Sequence, residues 1–177
     1  GQGGFVITNK KKIYNNVTKL KNNGLNNIKE IYKWGIGGLN FKFSDILAAI
    51  ALIDFDKFQF YKKKQIQNYL LYLKKLDHLK EIKIIPVYVS KGEIPQYVEI
   101  LLKKRDGLYK YMKKNHIDCR IFYPNLSKAT RNKLTKKNKY ENSDNFEKHG
   151  LYLPSGPDLN LKSIIKVSNF IGKFYKK

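Results

Sequence analysis

The chain is poor in cysteine, methionine, tryptophan and arginine, and the shortages close off several readings. A single cysteine, Cys119, admits no internal disulfide and no cysteine-based zinc site. The three histidines, His78, His116 and His149, show no metal-ligand spacing. The longest unbroken apolar run, residues 46–53, falls far short of the roughly 18 residues a membrane-spanning helix needs. No secretory signal opens the chain, so a reducing cytoplasm is the expected compartment and no membrane is expected as a partner. The only methionine is Met112 and the first residue is Gly1, so the sequence is expected to be a processed, trimmed or partial product. Gly-x-Ser-x-Gly, Walker and His-Glu-x-x-His motifs are absent, and residues 35–40 (GIGGLN) do not make a dinucleotide fingerprint.

What abounds is lysine. Of 36 basic residues only three are arginine, and the net charge is +22. That charge is the footprint of a nucleic-acid or polyanion binder, which is kept as the alternative function. Against it, the lysines are scattered rather than gathered into an arm. Asn, Ile, Tyr and Phe are abundant with them, as AT-rich codons would produce, so nucleic acid is not the preferred partner. Hydrophobic residues make up 42%, enough for a core.

Residues 5–8 (FVIT) read as a short buried strand, and residues 10–22 as a helix stopped by Gly24. Residues 24–43 form a Gly- and Asn-rich loop carrying Trp34. Ser44 reads as a helix N-cap with Asp45 at the positive end of the dipole. The helix behind it is apolar on all sides and is expected to be buried. A helical stripe of Phe55, Phe58, Ile66, Leu70 and Leu73 continues to about Leu76, with a kink allowed. Further on, residues 82–86, 96–104 and 119–124 read as strands, and residues 106–115 as a helix capped by Asp106. Residues 128–144 read as a surface loop, and residues 161–175 as a final helix. The order indicates a small α/β layer.

Four strings, taken together, resemble one family. Residues 1–9 (GQGGFVITN) look like the strand after the cofactor-bearing lysine of DegT/DnrJ/StrS-type nucleotide-sugar aminotransferases. Residues 38–53 (GLNFKFSDILAAIALI) are similar to that family's block around an Asn, a Lys or Arg and a Ser-Asp helix start. Residues 116–126 (HIDCRIFYPNL) resemble its Arg-x-x-Tyr-Pro segment, and residues 149–160 (HGLYLPSGPDLN) its Leu-Pro turn before the last helix. The strings occur in family order over nearly the whole chain.

The resemblance implies the C-terminal part of a fold-type-I enzyme that depends on pyridoxal 5'-phosphate. The expected fold is α/β: residues 1–60 end the large cofactor domain, a long helix links on, and residues 61–177 form a small three-layer-like α+β domain. A homodimer is implied, with glutamate as amino donor and a nucleotide-linked keto sugar as acceptor, in amino-sugar or polysaccharide synthesis. The lysine that carries the cofactor is expected upstream of Gly1, so no catalytic residue is assigned within the chain. A relative that keeps the fold without catalysis is a further alternative.

For the cofactor phosphate the resemblance implies Asn40, with Lys42 adding charge. The plain alternatives are a turn-forming Asn and a solvated Lys. For the substrate it implies Arg120, Tyr123 and Trp34. A guanidinium suits phosphate or carboxylate; an edge-strand Arg in water, a core Tyr and a packing Trp are the alternatives. Cys119 reads as a small buried residue. The family often carries a His in or after its Tyr-Pro segment, and Gln2 stands where Glu or Asp is common. This chain has no His at Phe122 or in residues 125–128, which leaves the sugar open.

Overall fold

The computed structural model describes residues 3–27, 29–30, 33–128 and 140–176. The chain divides into two compact units, Gly1–Phe58 and Gln59–Lys177.

In the first unit, α1 (Lys11–Lys21) ends as expected before Gly24, whose φ of +80° is the left-handed region open to glycine. The loop that follows folds back on α1. Leu39 N–H donates to Leu20 O at 2.9 Å, Phe41 N–H to Lys21 O at 3.0 Å, and Asn23 N–H to Leu39 O at 3.1 Å. A Cβ on Gly38 would collide with the backbone N of Gly24, so the two backbone segments approach as only glycine permits. Ser44 caps α2 (Asp45–Asp56), accepting from Leu47 N–H at 3.4 Å, with Asp45 in the first turn.

Two expectations fail here. Residues 5–8 are not a strand: Phe5 is 88% exposed and Ile7 86%. Among the described residues no strand lies beside them, and an isolated strand has no partner for its backbone groups. Helix α2 is not buried either, since Ile46, Leu52, Ile53 and Phe55 are all exposed.

The second unit is a sheet with helices. Helix α3 (Phe58–Leu76) starts one residue after α2 ends, with Lys57 between them. Strands β1 (Ile82–Ile84), β2 (Val98–Leu102), β3 (Arg120–Ile121) and β4 (Gly150–Leu153) make one antiparallel sheet in the order β1-β2-β4-β3. Helices α4 (Arg105–Lys114), α5 (Glu141–His149) and α6 (Leu161–Tyr175) complete the unit. Period-2 alternation fixes its faces. Val98, Ile100, Leu102, Leu151 and Leu153 point into the core, where Leu108, Met112, Ile164 and Ile171 meet them. Each such fully buried side chain stabilises by about 1.5–3 kcal/mol.

Several details differ from expectation. The buried stripe of α3 is Asn68, Tyr69, Tyr72 and Leu76, while Leu70 is 49% exposed and Phe55 and Phe58 lie open. The tyrosines can go inside because their hydroxyls find backbone partners. Helix α4 is capped by Lys104 without a side-chain bond; Asp106 instead pairs with Arg105 in the first turn. Strand β3 covers two of the six residues expected, because it pairs only with the short β4. Part of the expected surface loop is α5; residues 129–139, like Gln2, lie outside the described residues.

Candidate functional site

The outward face of the sheet carries the chemistry. Register sets Glu99, Tyr152 and Arg120 in one row across β2, β4 and β3. Tyr97, just before β2, meets Tyr152 edge-on at 5.3 Å between ring centroids. Phe122 stacks on the other side of Tyr152 at 4.4 Å, and Phe146 of α5 stacks on Phe122 at 5.9 Å. The Arg120 guanidinium lies 4.3 Å from the Tyr123 ring centroid, a cation–π pair at the sheet edge.

Of these groups, Tyr97, Tyr152, Arg120 and Tyr123 border a cleft of about 430 Å³. One side is Tyr97, Tyr152, Arg120 and Tyr123; another is the turn of Pro154, Ser155, Gly156 and Pro157; Gln65, Gln96, Asp118 and Cys119 complete it. The cleft thus offers a planar cation and one carboxylate, aromatic faces and amide and hydroxyl groups, a lining that suits a polar ligand whose charged end meets Arg120. Burial, then Glu99, raises the Tyr152 hydroxyl above its ordinary value, and burial raises Glu99. Burial and, less, Asp118 push the Cys119 thiol up to about 12, so it stays a neutral thiol at pH 7.

Below the Tyr123–Pro124 corner, Asn125 is nearly buried and held on all sides. Its N–H donates to Glu147 Oε2 at 3.0 Å and its amide to Asp144 Oδ1 at 3.0 Å; its own oxygen accepts from Ser127 N–H. Lys128 Nζ lies 2.6 Å from Glu147 Oε2 and 3.2 Å from Asp144 Oδ1. Sequence left the position after Tyr-Pro without its His; the Asn there is occupied by α5.

Of the residues singled out from sequence, Arg120 and Tyr123 come together at this cleft. Asn40, Lys42 and Trp34 belong to the first unit. Asn40 lies within the stretch laced to α1, between Leu39 and Phe41, and bridges Asn22; its side chain is exposed and has no hydrogen-bond partner among the described residues. Lys42 is exposed, and Trp34, 63% exposed, bridges Leu25. Tyr97, Tyr152 and Gln65 were not legible as site residues, because only the β2–β4 register and the α3 stripe bring them to Arg120. Among the described residues there is no cluster of three or more His, Cys, Asp or Glu placed to hold a metal. Nor is any described helix long and apolar enough to cross a membrane.

This geometry has close counterparts. The chain superposes on Helicobacter pylori PseC, an aminotransferase involved in the biosynthesis of pseudoaminic acid, with a TM-score of 0.80 at 16% identity. The match covers 96% of this chain and 47% of that one. It superposes nearly as well, at TM-score 0.78 and 17% identity over 93% of its length and 48% of the other, on an Escherichia coli GDP-4-keto-6-deoxy-D-mannose-3-dehydratase. The shared fold therefore spans two chemistries. In sequence it is 27% identical to the GDP-perosamine synthase of Escherichia coli O157:H7, over 99% of this chain and 48% of that protein. It is 28% identical, over 70% of the chain and 34% of the other protein, to a dTDP-4-amino-4,6-dideoxy-D-glucose transaminase of Shigella dysenteriae. The chain spans about half the length of the curated relatives it matches with nearly all of its own. A family model matches residues 1–171, a span that takes in the capped start of α2, the Arg120–Tyr123 edge and the Pro154–Pro157 turn alike, and the chain belongs to the DegT/DnrJ/EryC1/StrS aminotransferase family.

Proposed function

We propose that this chain is the C-terminal half of a pyridoxal-phosphate-dependent enzyme that moves an amino group from glutamate to a nucleotide-linked keto sugar, as a cytoplasmic homodimer. The observation that carries the reading is the family match over residues 1–171, joined to a cleft in which Arg120 and Tyr123 stand together. The named relatives act in the GDP- and dTDP-sugar series, which supports a nucleotide sugar as the acceptor class.

The donor set of the first unit fits a share in holding the cofactor. Asn40 offers an exposed, unengaged amide, and Lys42 adds an ammonium two residues on. Both suit a phosphate and are too few to enclose an aromatic ring, so they act with groups from elsewhere in the protein. When bound, pyridoxal phosphate supplies the electron sink for amino transfer. Arg120 binds the negative charge of the nucleotide sugar, and Tyr123 orients that guanidinium through its ring.

The test uses the whole gene product containing these residues. Given glutamate and a GDP- or dTDP-linked keto sugar, it should release one 2-oxoglutarate per amino sugar formed, and the 177-residue chain alone should release none. Absence of 2-oxoglutarate from the whole protein with every nucleotide keto sugar tried would sink the reading.

A further inference from the structure

Helix α3 places a polar side chain where packing alone would favour leucine. Asn68 is fully buried, and its oxygen has no hydrogen-bond partner among the described residues. A buried amide with an unsatisfied oxygen lowers stability relative to an apolar residue of similar volume. Its one bond leaves the core: Nδ2 donates to Gly156 O at 3.1 Å. One helical turn on, and on the same face, the fully buried Tyr72 donates its hydroxyl to Pro154 O at 2.8 Å. A third tie comes from β2, where Val98 N–H donates to Ser155 Oγ at 3.2 Å.

The three bonds converge on three consecutive residues, Pro154, Ser155 and Gly156, and all three line the cleft beside Arg120 and Tyr123. Gly156 O also accepts from Leu159 N–H at 3.0 Å, closing the turn that leads into α6. Pro154 and Pro157 fix φ on either side. The wall is therefore rigid before any ligand arrives, which spares binding the cost of ordering it.

We propose that Asn68 and Tyr72 are positioning residues for the substrate cleft. They set the Pro154–Pro157 turn so that its backbone and Ser155 meet the sugar end of the ligand while Arg120 meets the charged end. Asn68 is held in the core for this bond and not for the stability of α3. The inference rests on the proposed transaminase reading for its ligand, and on the geometry of the turn for the rest.

The experiment compares whole-protein variants Asn68→Leu and Tyr72→Phe with the parent. Tyr72→Phe removes only a hydroxyl and Asn68→Leu keeps the branched shape and the number of side-chain heavy atoms, so folding should survive, and Asn68→Leu should melt no lower than the parent. The KM for the nucleotide sugar should rise about three- to tenfold, with kcat and the KM for glutamate nearly unchanged. Amide hydrogen exchange at Leu159 should quicken in Asn68→Leu while exchange within β2 and β4 stays as it was. Folded variants with an unmoved nucleotide-sugar KM would overturn the proposal, as would a lower melting temperature with Leu159 exchange unaltered. If the parent protein shows no transamination, the functional reading fails by itself; the role of Asn68 is then decided by Leu159 exchange alone.

Discussion

The two units show opposite relations between sequence and burial. In Gln59–Lys177 the sheet and its helices cover one another, and sixteen hydrophobic residues from Tyr69 to Ile171 form one core. In Gly1–Phe58 the apolar content is just as evident, yet none of its described hydrophobic side chains is buried; only Asn22 and Gly24 are. Phe5, Phe41, Phe43, Ile46, Leu52 and Ile53 all lie open. Periodicity tells which residues want cover, and it cannot tell whether the same chain provides it. Under the proposed reading, cover for the first unit comes from the rest of the longer protein.

The largest expected effect lies in the covered unit. Ile100 is fully buried, between Ile84 of β1 and Leu151 of β4. Ile100→Ala should lower the unfolding free energy of the 177-residue chain by about 2–5 kcal/mol in a denaturant melt. A loss under about 1 kcal/mol would mean that the sheet is not the stability centre, and the contrast between the units would lapse.

A smaller effect is expected in the open unit, where the backbone rather than a core holds the fold. Gly38→Ala drives a Cβ against Gly24 N, a backbone atom that cannot swing aside. The substitution should cost about 1–3 kcal/mol locally and speed hydrogen exchange at Leu39, whose N–H bonds Leu20 O. The melt of the second unit should not move. Unchanged Leu39 exchange would show that the lacing of the loop to α1 is not what positions Asn40.

Much of both units was legible from local pattern alone. Ser44 reads as a cap because a hydroxyl before an apolar run satisfies an orphan N–H, and it does so. The bounds of α6 follow from Asn160, Ile164, Val167 and Ile171. What escaped depends on distant partners. Helix α5 has one large apolar residue, Phe146, and so no stripe; it forms because Phe146 stacks on Phe122 and because Asn125 and Lys128 reach across to Asp144 and Glu147. Strand β4 is four residues between a helix and a proline, too short to show alternation, yet it joins β2 to β3. Arg120 and Tyr123 stood out by scarcity and motif, whereas Tyr97 and Tyr152 joined them only through register.

The α5 clamp gives a pH-dependent test of intermediate size. The Lys128 hydrogen bond and backbone N–H of Asn125 hold Glu147 below the usual carboxylate range. The Asn125 amide and then Lys128 do the same for Asp144, and both carboxylates raise Lys128 above its usual value. For a carboxyl with a depressed folded pKa, the stabilisation is fully present above the unfolded value, near 4, and is lost as pH falls through the folded one. For Lys128 it is present below the unfolded value and lost as pH rises through the folded one. Lys128→Met should therefore move the acid unfolding midpoint to higher pH, with little change between pH 6 and 8 beyond that of an exposed ion pair. An unshifted acid midpoint would remove the clamp from the account of how the Tyr123 corner is held.

The smallest expected effect tests the open unit most directly. Ile46 sits in the first turn of α2, 76% exposed, beside other uncovered residues. Truncating a largely exposed apolar side chain removes little buried area, so Ile46→Ser should change the unfolding free energy of the 177-residue chain by no more than about 0.5 kcal/mol. In the whole protein the same substitution should cost more, because the proposed reading gives α2 a covering surface there. The two measurements separate the alternatives. A large loss in the short chain that grows with protein concentration would mean that copies of the chain cover α2 for one another. A large loss independent of concentration would mean that the unit buries its own helix, and the contrast between the units would then fail at its clearest residue.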